Sequence, residues 1–211
     1  MFDLILHLDK HLVALAQEHA LLVYALPFIV IFCETGLVIT PFLPGDSLLF
    51  AIGSLAAIAA VDLTTVLILL SLAAICGDSV NYWVGARIGA KIAAMEKPPL
   101  IRKEYIARTH AFYERHGGKT IVIARFVPII RTFAPFVAGT AQMRYHRFLM
   151  YNVLGGVLWV LTFTIAGFFF GNIPLVKENF SLIALGIVVI SVLPALIEIL
   201  RQRRLALRQT Q

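Results

Sequence analysis

Charge is scarce in this chain. Asp, Glu, Lys and Arg make up 14% of its 211 residues, against 60% hydrophobic residues and a mean hydropathy of +0.87. An ordinary soluble domain carries about 25% charged residues, so the scarcity excludes a water-covered surface and points to an integral membrane protein. Cysteine is scarce as well: Cys33 and Cys76 lie inside apolar runs without CxxC spacing, which excludes a disulfide framework. The six histidines show neither HxxH nor HExxH spacing, so no metal site is expected. A P-loop and a nucleophile elbow are both missing, so neither ATP-driven work nor an enzyme acting on lipid phosphates is expected. No cofactor is implied, and the chain does not read as an enzyme. The N-terminus lacks the basic segment and small-residue cleavage site of a signal peptide.

Long apolar runs are what the sequence has instead, at 21–39, 63–76, 148–170 and 182–197. Crossing a hydrocarbon core of roughly 30 Å takes about 20 such residues. Residues 1–19 differ: Leu4, Leu8, Leu12 and Leu15 fall on one helical face, the pattern of an amphipathic helix lying at the membrane interface.

The net charge of +6 conceals an asymmetry. Residues 1–86 hold one basic residue, Lys10, and seven acids, whereas 87–211 hold seventeen basic residues and five acids. Eight of those basic residues fall within 87–119 and four in the tail RQRRLALR. The positive-inside bias places both segments in the cytoplasm. Because these charges flank membrane segments, anionic headgroups account for them and no nucleic-acid partner is expected.

Two segments are apolar enough to enter the membrane but too broken to cross it as one helix. ETGLVITPFLPGDSLLF carries Pro41, Pro44 and Gly45; RFVPIIRTFAPFVAGTAQM carries Pro128, Pro135 and Gly139. Each proline removes a backbone donor and clashes with the preceding turn. Non-helical backbone at membrane depth survives only where protein buries it or water reaches it. Both segments therefore read as re-entrant hairpins, each followed by a full span, the arrangement of an inverted-repeat transporter.

The fold expected is an all-α polytopic membrane protein with about three transmembrane helices plus two oppositely oriented re-entrant helical hairpins and interfacial amphipathic helices. Its parts are an interfacial helix at 1–19, a first hairpin at 20–60, a transmembrane helix at 62–86 and a basic cytoplasmic segment at 87–119. A second hairpin at 120–143, transmembrane helices at 147–172 and 181–200, and a basic cytoplasmic tail at 201–211 complete it. Counting back from the tail opens the second hairpin to the cytoplasm and the first to the exterior. The alternative makes 21–40 and 48–60 ordinary spans, five in all.

The first hairpin carries Glu34 and Asp46, the second Arg125 and Arg131. A charge at the centre of a membrane helix costs about 2.5 to 3.5 kcal/mol on insertion scales, so opposite signs on opposite hairpins offset one another if the tips meet. Guanidinium matches phosphate oxygens bidentately, which makes Arg125 and Arg131 candidate ligands of a lipid phosphate. Glu34 and Asp46 are candidate proton carriers, exchanging protons as the arginines take up and release substrate. The competing reading is a buried structural staple. In GDSVNYWVGARIG, Asp78, Asn81 and Tyr82 share a helical face, with Gly85 and Gly89 at small-xxx-small spacing. In NVLGGVLWV, Asn152, Gly155, Gly156 and Trp159 do the same. Asp78, Asn81 and Asn152 are secondary candidates beside the hairpins.

These motifs, with FYERHGGKTIVIARFVPIIRTFAPFVAGTAQM between them, resemble the bacterial DedA family from about residue 20 to 200. The resemblance implies a multi-pass protein of the bacterial inner membrane that transports lipid. Undecaprenyl phosphate is the implied cargo and phosphatidylethanolamine the alternative; eukaryotic relatives act as scramblases. It implies functional roles for Glu34, Asp46, Arg125 and Arg131. A proton-linked flippase is thus expected, with a non-transporting membrane-assembly protein as the competing class. The partners implied are a phosphate-bearing lipid, protons and the membrane, and a homodimer stays open.

Overall fold

The computed structural model describes residues 20–37, 45–94, 103–173 and 176. Pro41, Pro44, the interfacial helix expected at 1–19 and the span expected at 181–200 lie outside the described residues. Among those described the chain is helical and contains no strand: α1 is Ala20–Gly36, α2 Gly45–Ala57, α3 Leu63–Ala94, α4 Lys103–His116, α5 Thr120–Ala124, α6 Pro128–Thr140 and α7 Tyr145–Gly171. A 3₁₀ turn, Gly117–Lys119, joins α4 to α5.

Two of these helices are long and apolar enough to cross a membrane: Leu63–Ile88 within α3, 26 residues, and α7, 27 residues. At 1.5 Å per residue each spans about 40 Å, more than the roughly 30 Å required. α3 exposes Ile68 and Leu72, and α7 exposes Met150, Leu154, Leu158 and Phe169. Water would penalise so much large apolar surface; lipid does not. α2 and α6, at 13 residues each, reach only about 20 Å.

The break between α5 and α6 is dictated locally. Pro128 opens α6, where its missing N–H would have no partner anyway. The same ring forces Val127 into extended backbone, φ −118° and ψ 105°, so α5 cannot run on into α6. Arg125 consequently sits in the turn between them.

Contacts gather the helices into two compact units, the first built from α2 and the end of α7, the second from most of α1, α3 to α6 and the first two-thirds of α7. Among the described residues each unit contains a helix crossing with a glycine on both sides, and these two crossings have the same arrangement. In the first unit a Cβ on Gly53 would overlap the Thr164 carbonyl oxygen, and one on Gly167 would overlap that of Phe50. In the second, a Cβ on Gly85 would overlap the Phe136 carbonyl oxygen, and one on Gly139 that of Tyr82. Both pairs run antiparallel, glycine against the carbonyl three residues before the facing glycine. The residue after the glycine of α2 and of α6 repeats too: the Ser54 hydroxyl lies 3.1 Å from the Phe50 carbonyl and 3.0 Å from that of Gly167. The Thr140 hydroxyl lies 3.0 Å from the Phe136 carbonyl and 3.4 Å from that of Gly85.

The shared element is F-x-x-G-[S/T], FAIGS at 50–54 and FVAGT at 136–140. It works because membrane helices associate through close packing rather than the hydrophobic effect, so small residues that let backbones touch are decisive. α2 and α6 also end alike, on a left-handed residue, Ala59 at φ 58° and Gln142 at φ 53°. The next residue's N–H, Ala60 or Met143, closes on the carbonyl of Leu55 or Ala138, as in a Schellman cap.

Replacing Gly53 or Gly139 with Ala forces backbone apart, and each change is expected to destabilise by about 1 to 3 kcal/mol. Gly117→Asn, at an open position with φ +60°, is expected to stay within about 0.5 kcal/mol. Thermal unfolding of the purified protein in detergent measures all three; equal midpoints for the Gly139 and Gly117 variants would contradict the crossing.

Candidate functional site

Four charged side chains meet in the second unit, three of them buried and Arg131 half-buried. Glu34 comes from the last turn of α1, Asp78 from the middle of α3, Arg125 from the α5–α6 turn and Arg131 from the first turn of α6. Their exposures are at most a few per cent for Glu34 (2%), Asp78 (4%) and Arg125 (4%). Arg125 donates to Asp78 Oδ2 at 2.5 Å and to Asn152 Oδ1 at 2.6 Å. Arg131 donates to Glu34 Oε1. Two cations thus face two carboxylates, and the cluster carries no net charge.

Uncharged groups hold this arrangement. The Asn81 amide donates to the Thr35 carbonyl of α1 at 3.0 Å and to the Thr132 carbonyl of α6 at 2.8 Å, tying both helices to α3. Gly77 lets α1 lie against α3, since a Cβ there would overlap Thr35 Oγ1. Asn152 is fixed in turn by donating to the Ile75 carbonyl at 3.0 Å. Gly155 and Gly156 leave room on α7 for the Arg125 guanidinium, whose Nη2 would stand 3.3 Å from a Cβ on Gly156. Both arginines also lie near one ring: Arg125 Cζ is 5.8 Å and Arg131 Cζ 5.5 Å from the centre of the Trp159 indole. Within about 6 Å the ring face attracts a cation, most strongly when water is excluded.

The space between these groups has a volume of about 10 Å³ and is lined by Glu34, Thr35, Asp78, Arg125, Arg131, Thr132 and Trp159. That is room for about one water molecule. Two of its polar walls, Arg125 Nε and Thr132 Oγ1, are buried with no hydrogen-bond partner among the described residues. A single water there would satisfy both.

Of the residues singled out from sequence, Glu34, Arg125, Arg131, Asp78, Asn81 and Asn152 meet in this cluster. Asp46, expected to oppose the arginines, stands half-buried in the first turn of α2 in the first unit, next to the buried Gly45. A carboxylate there is favoured by the helix N-terminus. The carboxylate bound to Arg125 is Asp78. Pro128 and Pro135 belong to α6, and Gly139 makes its crossing with α3. Sequence reasoning did not single out Thr35, Thr132 or the role of Trp159. The signal for Trp159 was its place at i+7 from Asn152, with Gly155 and Gly156 between them on the same face. Among the described residues no group of three or more His, Cys, Asp or Glu could hold a metal ion.

Removing one partner of a buried ion pair leaves the other charge uncompensated, so Asp78→Ala is expected to destabilise by about 3 to 5 kcal/mol. Adding Arg125→Leu should recover part of that loss. Chemical denaturation of the two single variants and the double variant in micelles measures the coupling; additive losses would show that the pair is not energetically linked.

The comparisons agree with a membrane assignment. The VTT domain matches residues 43–169. The chain is 53% identical over 210 residues to Protein DedA of Escherichia coli (strain K12), covering 99% of this chain and 96% of that one. It is 43% identical over 169 residues to an uncharacterized membrane protein of Mycobacterium leprae, covering 80% and 76% of the two chains. It is 34% identical over 153 residues to the inner membrane protein YqjA of Escherichia coli (strain K12), covering 72% and 70%. No solved structure matches. With the VTT domain over more than half its length and DedA similar from end to end, the chain belongs to the DedA family of membrane proteins.

Proposed function

We propose that this protein is a carrier that moves a phosphate-bearing lipid between the leaflets of the inner membrane and is driven by protons. The observation behind the reading is that Arg125 and Arg131, each bound to a carboxylate, share one buried, water-sized space. Guanidinium binds phosphate through the same fork that holds a carboxylate, so an entering phosphate competes with Glu34 and Asp78 for the arginines. A carboxylate displaced from its arginine away from water relieves its desolvation by taking a proton. Lipid entry and proton uptake are thereby linked by charge balance.

In this reading 20–60 and 120–143 are oppositely oriented re-entrant hairpins, and the repeated glycine crossings fasten the second arm of each to a full span. The C-terminus is cytoplasmic, following its arginines. Asp46, on the first hairpin, is a further proton-carrying candidate. Undecaprenyl phosphate is the cargo that the family resemblance implies, with phosphatidylethanolamine as the alternative.

One observation favours a second reading. Each arginine already has a carboxylate partner and the space between them admits no headgroup, as a structural staple requires. The two readings part on substitutions that conserve fold. If the cluster carries lipid phosphate, Arg131→Lys loses the fork and Glu34→Gln loses the proton site. Both variants are then expected to insert and stay monodisperse, with lipid movement reduced at least about tenfold, the scale of losing one charged hydrogen bond of about 1.5 kcal/mol or more. Leaflet-resolved transport of undecaprenyl phosphate in liposomes, with and without an imposed pH gradient, measures this. Full transport by both folded variants would leave the cluster as a staple, and no transport by the unaltered protein under either condition would end the carrier reading.

A further inference from the structure

We propose that the second unit has a separate binding site for an anionic phospholipid, in a groove between the α4–α5 turn, the end of α6 and the start of α7. The groove has a volume of about 900 Å³, within the range of roughly 300 to 1,000 Å³ typical of ligand sites. It shares no lining residue with the buried charge cluster, and it stands whether or not that cluster moves lipid.

Its charge has one sign. Arg144 and Arg147 are the charged residues of its wall, both exposed, and neither has an acidic partner among the described residues. They differ in this from Arg125 and Arg131, which carboxylates already hold. Beyond Arg147 the wall turns apolar along one helical stripe. Met150, Tyr151 and Leu154 follow it at i+3, i+4 and i+7, so the stripe runs about 10 Å along α7 from the guanidinium. Met150 is 61% and Leu154 60% exposed.

A cationic head at the end of a span, followed by an exposed apolar stripe along it, is complementary to a lipid with a phosphate at headgroup depth and a chain beside the helix. A free anion would use the arginines and leave the stripe uncovered. The turn Gly117–Lys119 forms the opposite wall. Gly118 lets the Tyr151 ring pack against it, since a Cβ there would lie 2.7 Å from a ring carbon. The neighbouring phenol of Tyr113 donates to the Ala134 carbonyl at 3.1 Å. Burial, reinforced by the Asp78 charge, raises its pKa, so it adds no negative charge to the groove.

The test uses the full chain in nanodiscs, with Leu154→Trp as a reporter and lipids brominated in the acyl chain as quenchers. Brominated phosphatidylglycerol is expected to quench the added tryptophan more strongly than brominated phosphatidylcholine at equal mole fraction, and R144Q/R147Q in the reporter background to erase the difference. Native mass spectrometry of the protein without the reporter gives an independent reading: R144Q/R147Q should weaken phosphatidylglycerol retention about tenfold or more. Equal quenching by the two lipids, or retention unchanged by R144Q/R147Q, would overturn the site. Inorganic phosphate, at ionic strength matched with chloride, should leave the lipid preference intact. If phosphate abolished it, the arginines would be a site for a free anion and the lipid assignment would fail.

Discussion

An ionised side chain away from water must find its counter-charge within a few ångströms, and the second unit is built around that requirement. Glu34, Asp78, Arg125 and Arg131 come from four different elements. None could be buried alone without a penalty comparable to much of a domain's net stability. Neutralisation therefore fixes where α1, the α5–α6 turn and α6 lie against α3. Asn81 adds neutral hydrogen bonds and Asn152 accepts one from the Arg125 guanidinium at the same points. The break at Pro128 then acquires a purpose: by ending α5 it leaves Arg125 in a turn, where its side chain can reach both α3 and α7.

Backbone contact complements charge. Helices surrounded by lipid gain little from burying apolar side chains, so glycine at a crossing does what leucine does in a soluble core. FAIGS and FVAGT place a glycine and a hydroxyl against a facing helix in the same way in both units. One local solution is thus used twice, once on α2 and once on α6.

Much of this was legible in the sequence because it rests on local rules. Apolar run length located α3 and α7, and Pro128 located the break before α6. The two polar faces, Asp78 with Asn81 and Asn152 with Trp159, were visible as helical periodicity. Partner choice was not legible, because periodicity shows which residues share a face and not which helix that face meets. Asp78 rather than Asp46 holds Arg125 for that reason. The shared F-x-x-G-[S/T] element was not legible for a different reason: five residues, two of them matching in identity and one in hydroxyl chemistry, are too few to detect without the crossings they make. The platform of Trp159 beneath both arginines depends on α7, the α5–α6 turn and α6 converging and has no signature in any one of them.

The central claim is that the ion pairs of Arg125 and Arg131 exchange carboxylate for lipid phosphate. A structure of the protein with bound undecaprenyl phosphate tests it most directly. The account predicts phosphate density within about 3 Å of both guanidinium groups, the distance of charge-assisted hydrogen bonds, with Glu34 and Asp78 displaced from them. Saturating lipid bound elsewhere, with both ion pairs intact, would contradict it.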